Sequence, residues 1–449
     1  MGEIDVAGSG GRLSRRSLLL AGGGLLLAGC GERERPTIDS STDDSSAKSK
    51  LRAVLERRTK ALADGDEKAY LADLDPSNKD LIARERMAFA NLRQFEFDEL
   101  KYVYARMGER TQNDGSTLLQ PVIRITKLSA DAGPGDLAPG ESFSYRVADK
   151  GGRFVVTDIV PATRAAMDKL GFTGPEATAP WHTDKLHVVK ASGNVWLAAD
   201  DSVRDLNKFV DATGQEIDFV TKLWGDRPTF PGHVLFFTRD AANFKQWFDF
   251  GTADNFNPDV LGVQMAQYGV KKDGQYYENR FAGSRIVVNL GSIESADSSP
   301  RDTIRHELVH AISSRARLGG ALQAPTWAVE GFARYSETIG KPGRASAVRA
   351  VVSNGVRGGK FRNKLPAEDD FYGRDVGYNY CLGATVFQLA ERIEGREAAT
   401  ELYATAIDTI DAGGEFLNFP RFDSIAQRIF GMSGPGFRDR WLRFVRNGG

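Results

Sequence analysis

Residues 299–314 read SPRDTIRHELVHAISS, and residues 325–333 read PTWAVEGFA. In the first stretch Ser299 can cap a helix, Pro300 suits its first turn, Asp302 sits where a capping box places its acid, and Gly319-Gly320 ends it. His306 and His310 are four residues apart and so lie on one face of that helix, with Glu307 turned toward the same pocket. Two imidazoles placed in this way can bind one zinc ion. Ile304, Leu308, Val309, Ala311 and Ile312, all uncharged, satisfy the stricter form of the H-E-x-x-H pattern. In the second stretch Pro325 starts another helix, and Glu330 follows one turn in, twenty residues beyond His310.

Reading outward from the motif, RIVVNL (285–290) and HVLFFTR (233–239) predict strands, and Ser202 to Leu223 predicts a long amphipathic helix. The chain beyond the motif reads as mainly helical and ends in GFRDRWLRFV. Upstream, GFTGPEATAP (171–180) reads as a linker between domains. Before it, helical spacing at Leu51, Val54, Leu55 and Leu62 is followed by helical stretches at 69–74 and 79–95. Strand-like runs come next, at 95–104, 118–127, 142–149 and 153–160, with Lys150-Gly151-Gly152 as a tight hairpin between the last two. Helices followed by an antiparallel meander imply an α+β domain over 51–170 in which the helices cover one sheet face. Residues 181–449 then form a second domain, with a mixed sheet and a mainly helical second half.

The chain has 449 residues, with 59 basic against 60 acidic side chains, so no net field attracts nucleic acid. Two cysteines, Cys30 and Cys381, exclude a disulfide scaffold or a cysteine-rich metal site. Residues 12–30, RLSRRSLLLAGGGLLLAGC, combine paired arginines with an apolar run too short to span a bilayer, which marks a signal peptide over 1–29. Residues 30–50 are polar and read as a flexible tether.

Leu27-Ala28-Gly29-Cys30 resembles the lipobox of bacterial lipoproteins, and Arg15-Arg16 resembles a twin-arginine signal. The resemblance implies lipidation at Cys30 and attachment to the extracytoplasmic face of the bacterial cell membrane. The 51–170 pattern is similar to the cone-shaped SnoaL-like and nuclear-transport-factor-like folds.

The string Trp327-Ala-Val-Glu330-Gly331-Phe-Ala333 resembles the W-x-x-E-G-x-A segment of gluzincins. The order of strand, motif helix and glutamate helix is similar to the peptidase MA-like group of that family, over most of residues 181–446. The resemblance implies one zinc per chain held by His306, His310 and Glu330, with Glu337 in reserve. Small Gly331 and Ala333 would then let the glutamate helix approach the motif helix. It implies Glu307 as general base, the 285–290 strand as the sheet edge that receives an extended peptide, and a later tyrosine as oxyanion donor. Tyr380 is the foremost candidate for that donor, with Tyr378 and Tyr335 as rivals. Two departures stand out. Ser313 and Ala316 occupy the positions at which another zincin class has its glycine and third histidine. Arg334 replaces the acid that thermolysin-type enzymes place four residues past the ligand.

The expected function is a zinc-dependent endopeptidase acting on a peptide or protein substrate, since no G-A-M-E-N-like string would capture a free α-amino group. The alternative is a non-catalytic envelope lipoprotein with a structural metal, which would have no use for Glu307. His182, His187 and His233 lie outside any ligand spacing and read as structural or surface residues.

Overall fold

The computed structural model describes residues 46–103, 108–133, 137–169, 171, 179–249, 260–271, 274–296, 298–314, 324–408 and 413–448. The expected signal peptide, Cys30, most of the tether and linker, and Gly319-Gly320 lie outside these residues. By contacts, the described residues fall into two compact units, Ser46 to Ser314 and Ala324 to Gly448.

The first unit opens with α1 (Ala47–Asp64), α2 (Glu67–Leu71) and α3 (Lys79–Leu92). Ser46 caps α1 by accepting from the Ser49 amide at 3.1 Å, so the helix starts inside the stretch expected as tether. Five strands follow: β1 (Phe97–Val103), β2 (Gly108–Thr111), β3 (Thr117–Leu128), β4 (Gly140–Lys150) and β5 (Arg153–Pro161). They pair antiparallel in the order β1-β3-β4-β5, with β2 also on β3. The four expected strands are β1, β3, β4 and β5. Short, polar and mostly exposed, β2 carries no alternation by which sequence could reveal it. Gly151 and Gly152 turn the chain between β4 and β5 at φ +59° and +79°, values that a two-residue hairpin requires. Leu51, Val54 and Leu55 of α1 and Leu81 of α3 pack with Val122, Tyr145, Val147 and Val156, so the helices cover one sheet face. Each such fully buried side chain contributes about 1.5–3 kcal/mol.

After α4 (Arg164–Lys169) and α5 (Pro180–Thr183) comes a second, mixed sheet. Its strands are β6 (Leu186–Lys190), β7 (Val195–Asp200), β8 (His233–Thr238), β9 (Gly262–Val270) and β10 (Tyr276–Asn289), in the order β6-β7-β8-β10-β9. β7, β8 and β10 run parallel, and β6 and β9 are antiparallel to their neighbours. The crossover from β7 to β8 carries α6 (Val210–Trp224). α6 starts later than Ser202 because the Asp200 carboxylate accepts from the Ser202 amide at 3.0 Å, which folds that segment into a turn.

The 285–290 strand expected at the sheet edge is interior. Ile286, Val287 and Val288 are buried in β10 between β8 and β9, as a continuous apolar run requires when both sheet faces are covered. The edge beside it is β9. Asp131 and Arg285, both buried, pair through two bonds of 2.7 and 2.8 Å and tie the loop after β3 to β10. Beyond α7 (Ala241–Gln246) and α8 (Leu290–Ser295), the unit's last described element is α9 (Pro300–Ser314).

The second unit is helical: α10 (Thr326–Thr338), α11 (Pro342–Arg357), α12 (Val376–Ile407), α13 (Pro420–Phe430) and α14 (Gly434–Arg446). α12 is broken at Glu394 and Gly395, the latter at φ +84°. An ideal Cβ on Gly331 of α10 would lie 2.5 Å from the Gly383 backbone of α12. The small residues of the glutamate helix therefore admit α12, and Phe332 stacks on Tyr403 at 4.1 Å beside this contact.

Candidate metal centre

α9 carries the H-E-x-x-H residues on a helix fastened from behind. Ser299 caps it, its carbonyl and hydroxyl lying 3.0 and 3.4 Å from the Asp302 amide. Glu216 of α6, fully buried, accepts from Arg305 at 2.5 Å and from Arg301, and the Arg305 guanidinium lies 3.9 Å from the Phe219 ring centre. Burial pushes the Glu216 carboxyl up, but bonds from the two guanidiniums outweigh it and hold the group below the ordinary carboxylate range. Another face of α9 presents His306 and His310, whose rings sit 4.8 Å apart at 83°. His310 and Glu307 are buried and His306 half-buried.

Glu330 is buried in α10. The start of that helix is satisfied from a distance, because the Glu368 carboxylate accepts from the Thr326 amide at 3.0 Å and from the Thr326 hydroxyl. The Tyr372 hydroxyl donates to Glu330 Oε1 at 2.5 Å.

His306 and His310 belong to the first unit and Glu330 to the second, each unit contributing side chains of the kind a zinc ion takes. Two imidazoles and one carboxylate make up the donor set of an open zinc site, which leaves a position for water or substrate.

The other sequence candidates have different surroundings. Glu337 is buried and accepts from Arg334 and Arg344, each at 2.7 Å. Burial disfavours the Arg334 cation, yet Glu337 outweighs this and keeps it above its ordinary value. Arg334 thus neutralises Glu337, with its guanidinium 5.6 Å from the Tyr380 ring centre. Tyr380 is half-buried in the first turns of α12, its ring 5.4 Å from Phe371 and 6.2 Å from Tyr372. Tyr335 lies in the core against Phe332 and Phe387. Tyr378 packs on Gly355, where an added Cβ would lie 2.1 Å from its ring. Burial raises the Cys381 thiol above its usual range.

The remaining histidines are structural or at the surface. His182 meets Arg124 and Glu141, His187 meets Asp201 at 2.7 Å, and buried His233 is pushed down to about 4.

Two residues that touch candidate side chains of their own units carry no sequence signal of their role. Tyr372 sits in the motif-free string EDDFYGRD. Gly262 opens β9 so close to Glu307 that an ideal Cβ would stand 2.9 Å from its Cγ. Set against models of protein families and against curated proteins, the chain matches none.

Proposed function

We propose that this protein is a zinc-dependent peptidase, acting as an endopeptidase on peptide or protein substrates and held by a lipid at Cys30 on the outer face of the cell membrane. The observation that carries the reading is the pairing of His306 and His310 on one face of α9, their rings 4.8 Å apart, with Glu307 next to His306 on the same helix. His306, His310 and Glu330 would hold the ion, which when bound polarises the scissile carbonyl and acidifies the attacking water. Glu307 takes the water's proton and returns it to the leaving amine. Tyr380 would donate to the oxyanion. Buried Glu307 beside the metal-binding face supports catalysis over a structural metal, because a structural site needs no base.

The test pairs metal analysis of the purified chain with digestion of a broad peptide library. About one zinc per chain and internal cleavages support the proposal. A metal-free chain that cleaves nothing after zinc is added refutes it. Anchoring is tested by Cys30→Ala, which releases the protein from washed membranes if the lipid holds it.

A further inference from the structure

Two glutamates on α10 are buried, and different side chains donate to them. Glu337 is held by two guanidiniums, whereas the phenol donating to Glu330 is neutral. A neutral donor fixes a carboxylate's orientation and leaves its negative charge in place, as a ligand to a dication requires. The segment that delivers this phenol is itself fastened on both sides. Glu368 binds the first turn of α10, the Asn379 amide of α12 donates to the Phe371 carbonyl at 2.8 Å and the Asp370 carbonyl at 3.3 Å, and Phe371 is fully buried. Tyr372 therefore reaches Glu330 from anchored backbone, 42 residues away in sequence. A free glutamate side chain would lose up to about 2 kcal/mol of rotamer entropy on taking one orientation. Here the fold has met that cost before any ion arrives.

Resting on the metal-centre reading above, we propose that Tyr372 is the positioning residue for the ligand Glu330. Its phenol engages Glu330 Oε1 and fixes the orientation in which the carboxylate meets the cation, and the 368–372 segment serves to hold that phenol in place.

The experiment compares the full-length chain with Tyr372→Phe by chelator competition for zinc and by the visible absorption of the cobalt(II)-loaded protein. Tyr372→Phe should weaken zinc binding by about 10 to 100-fold and alter the cobalt spectrum. Incorporating p-aminophenylalanine at 372, which keeps a para donor on the same ring, should recover most of both. The thermal unfolding of the metal-free protein monitors folding, and a Phe variant that melts with wild type attributes the loss to the bond. Zinc affinity and cobalt spectrum unchanged in Tyr372→Phe would overturn the proposal while leaving the metal centre intact. Loss that the para-amino ring does not restore overturns it as well, by assigning the effect to packing. If wild type binds zinc no better than His306→Ala, the metal-centre reading fails first and takes this inference with it.

Discussion

Gly262 lies against Glu307: an ideal Cβ at 262 would stand 2.9 Å from Glu307 Cγ and 3.2 Å from Oε1. The backbone at the start of the edge strand β9 therefore forms one wall around the proposed base, and only glycine leaves that side chain its place. The same Cβ would also meet Thr303 Cγ2 at 2.9 Å. Gly262→Ala should lower kcat/KM by about 10 to 100-fold, because small displacements of a positioned base are costly, while zinc content stays at wild-type level. Peptide cleavage and metal analysis on the same preparation check this, and full activity in Gly262→Ala would remove the wall.

Glu307→Gln separates a base from a bystander. The amide is nearly isosteric and Glu307 is not one of the proposed ligands, so zinc should remain while cleavage falls by at least ~100-fold. Wild-type turnover in this variant would end the proposed mechanism.

Glu330 and Glu337 should respond in opposite ways. Glu330→Ala should empty the site, as His306→Ala should, because each removes one of the proposed donors. Glu337→Gln should retain zinc but destabilise the fold by about 1 to 2 kcal/mol, since it leaves half-buried Arg334 and Arg344 without their shared carboxylate. Metal content and denaturant unfolding distinguish the two, and zinc persisting in Glu330→Ala would displace Glu330 from the ligand set.

Tyr380→Phe should lower kcat by about 10 to 1,000-fold with little change in KM or zinc content, because a bond to the oxyanion forms chiefly in the transition state. Steady-state kinetics decide it. Activity within about twofold of wild type would leave Tyr380 as a packing partner of Phe371 and Arg334.

His233 makes a prediction about pH. Burial lowers its folded pKa to about 4, below the ordinary 6.5, so between these values the unfolded chain binds a proton that the folded chain does not. The stability that keeping His233 neutral provides is full above about pH 6.5 and falls by about 1.4 kcal/mol per unit as pH drops toward 4. Unfolding free energies at pH 7 and 5, in wild type and His233→Leu, should show a smaller decrease for the variant. Equal decreases would place the acid sensitivity elsewhere.

The sequence by itself determined what depends on near neighbours along the chain. The i, i+4 spacing of His306 and His310 puts both rings on one face of any helix they occupy, and Ser299 marks where that helix starts. Paired glycines at 151 and 152 define the β4–β5 hairpin because few other residues accept both positive φ values. The α+β class follows from the same local periodicities, helical at Leu51–Leu62 and strand-like from Phe97 to Pro161.

What only the tertiary structure decided is which of these elements touch. An apolar run such as Ile286–Val288 specifies a strand buried on both faces, but its neighbours come from β8 and β9, distant in the chain, so the edge passes to a strand without a strong pattern of its own. Gly331 reads only as small, and the strand or helix that exploits its missing Cβ emerges once α12 packs on α10. Tyr372 and Glu368 are an ordinary phenol and an ordinary acid in sequence. They acquire roles because hydrogen bonds depend on distance in space, and folding sets both beside α10 from 42 residues away.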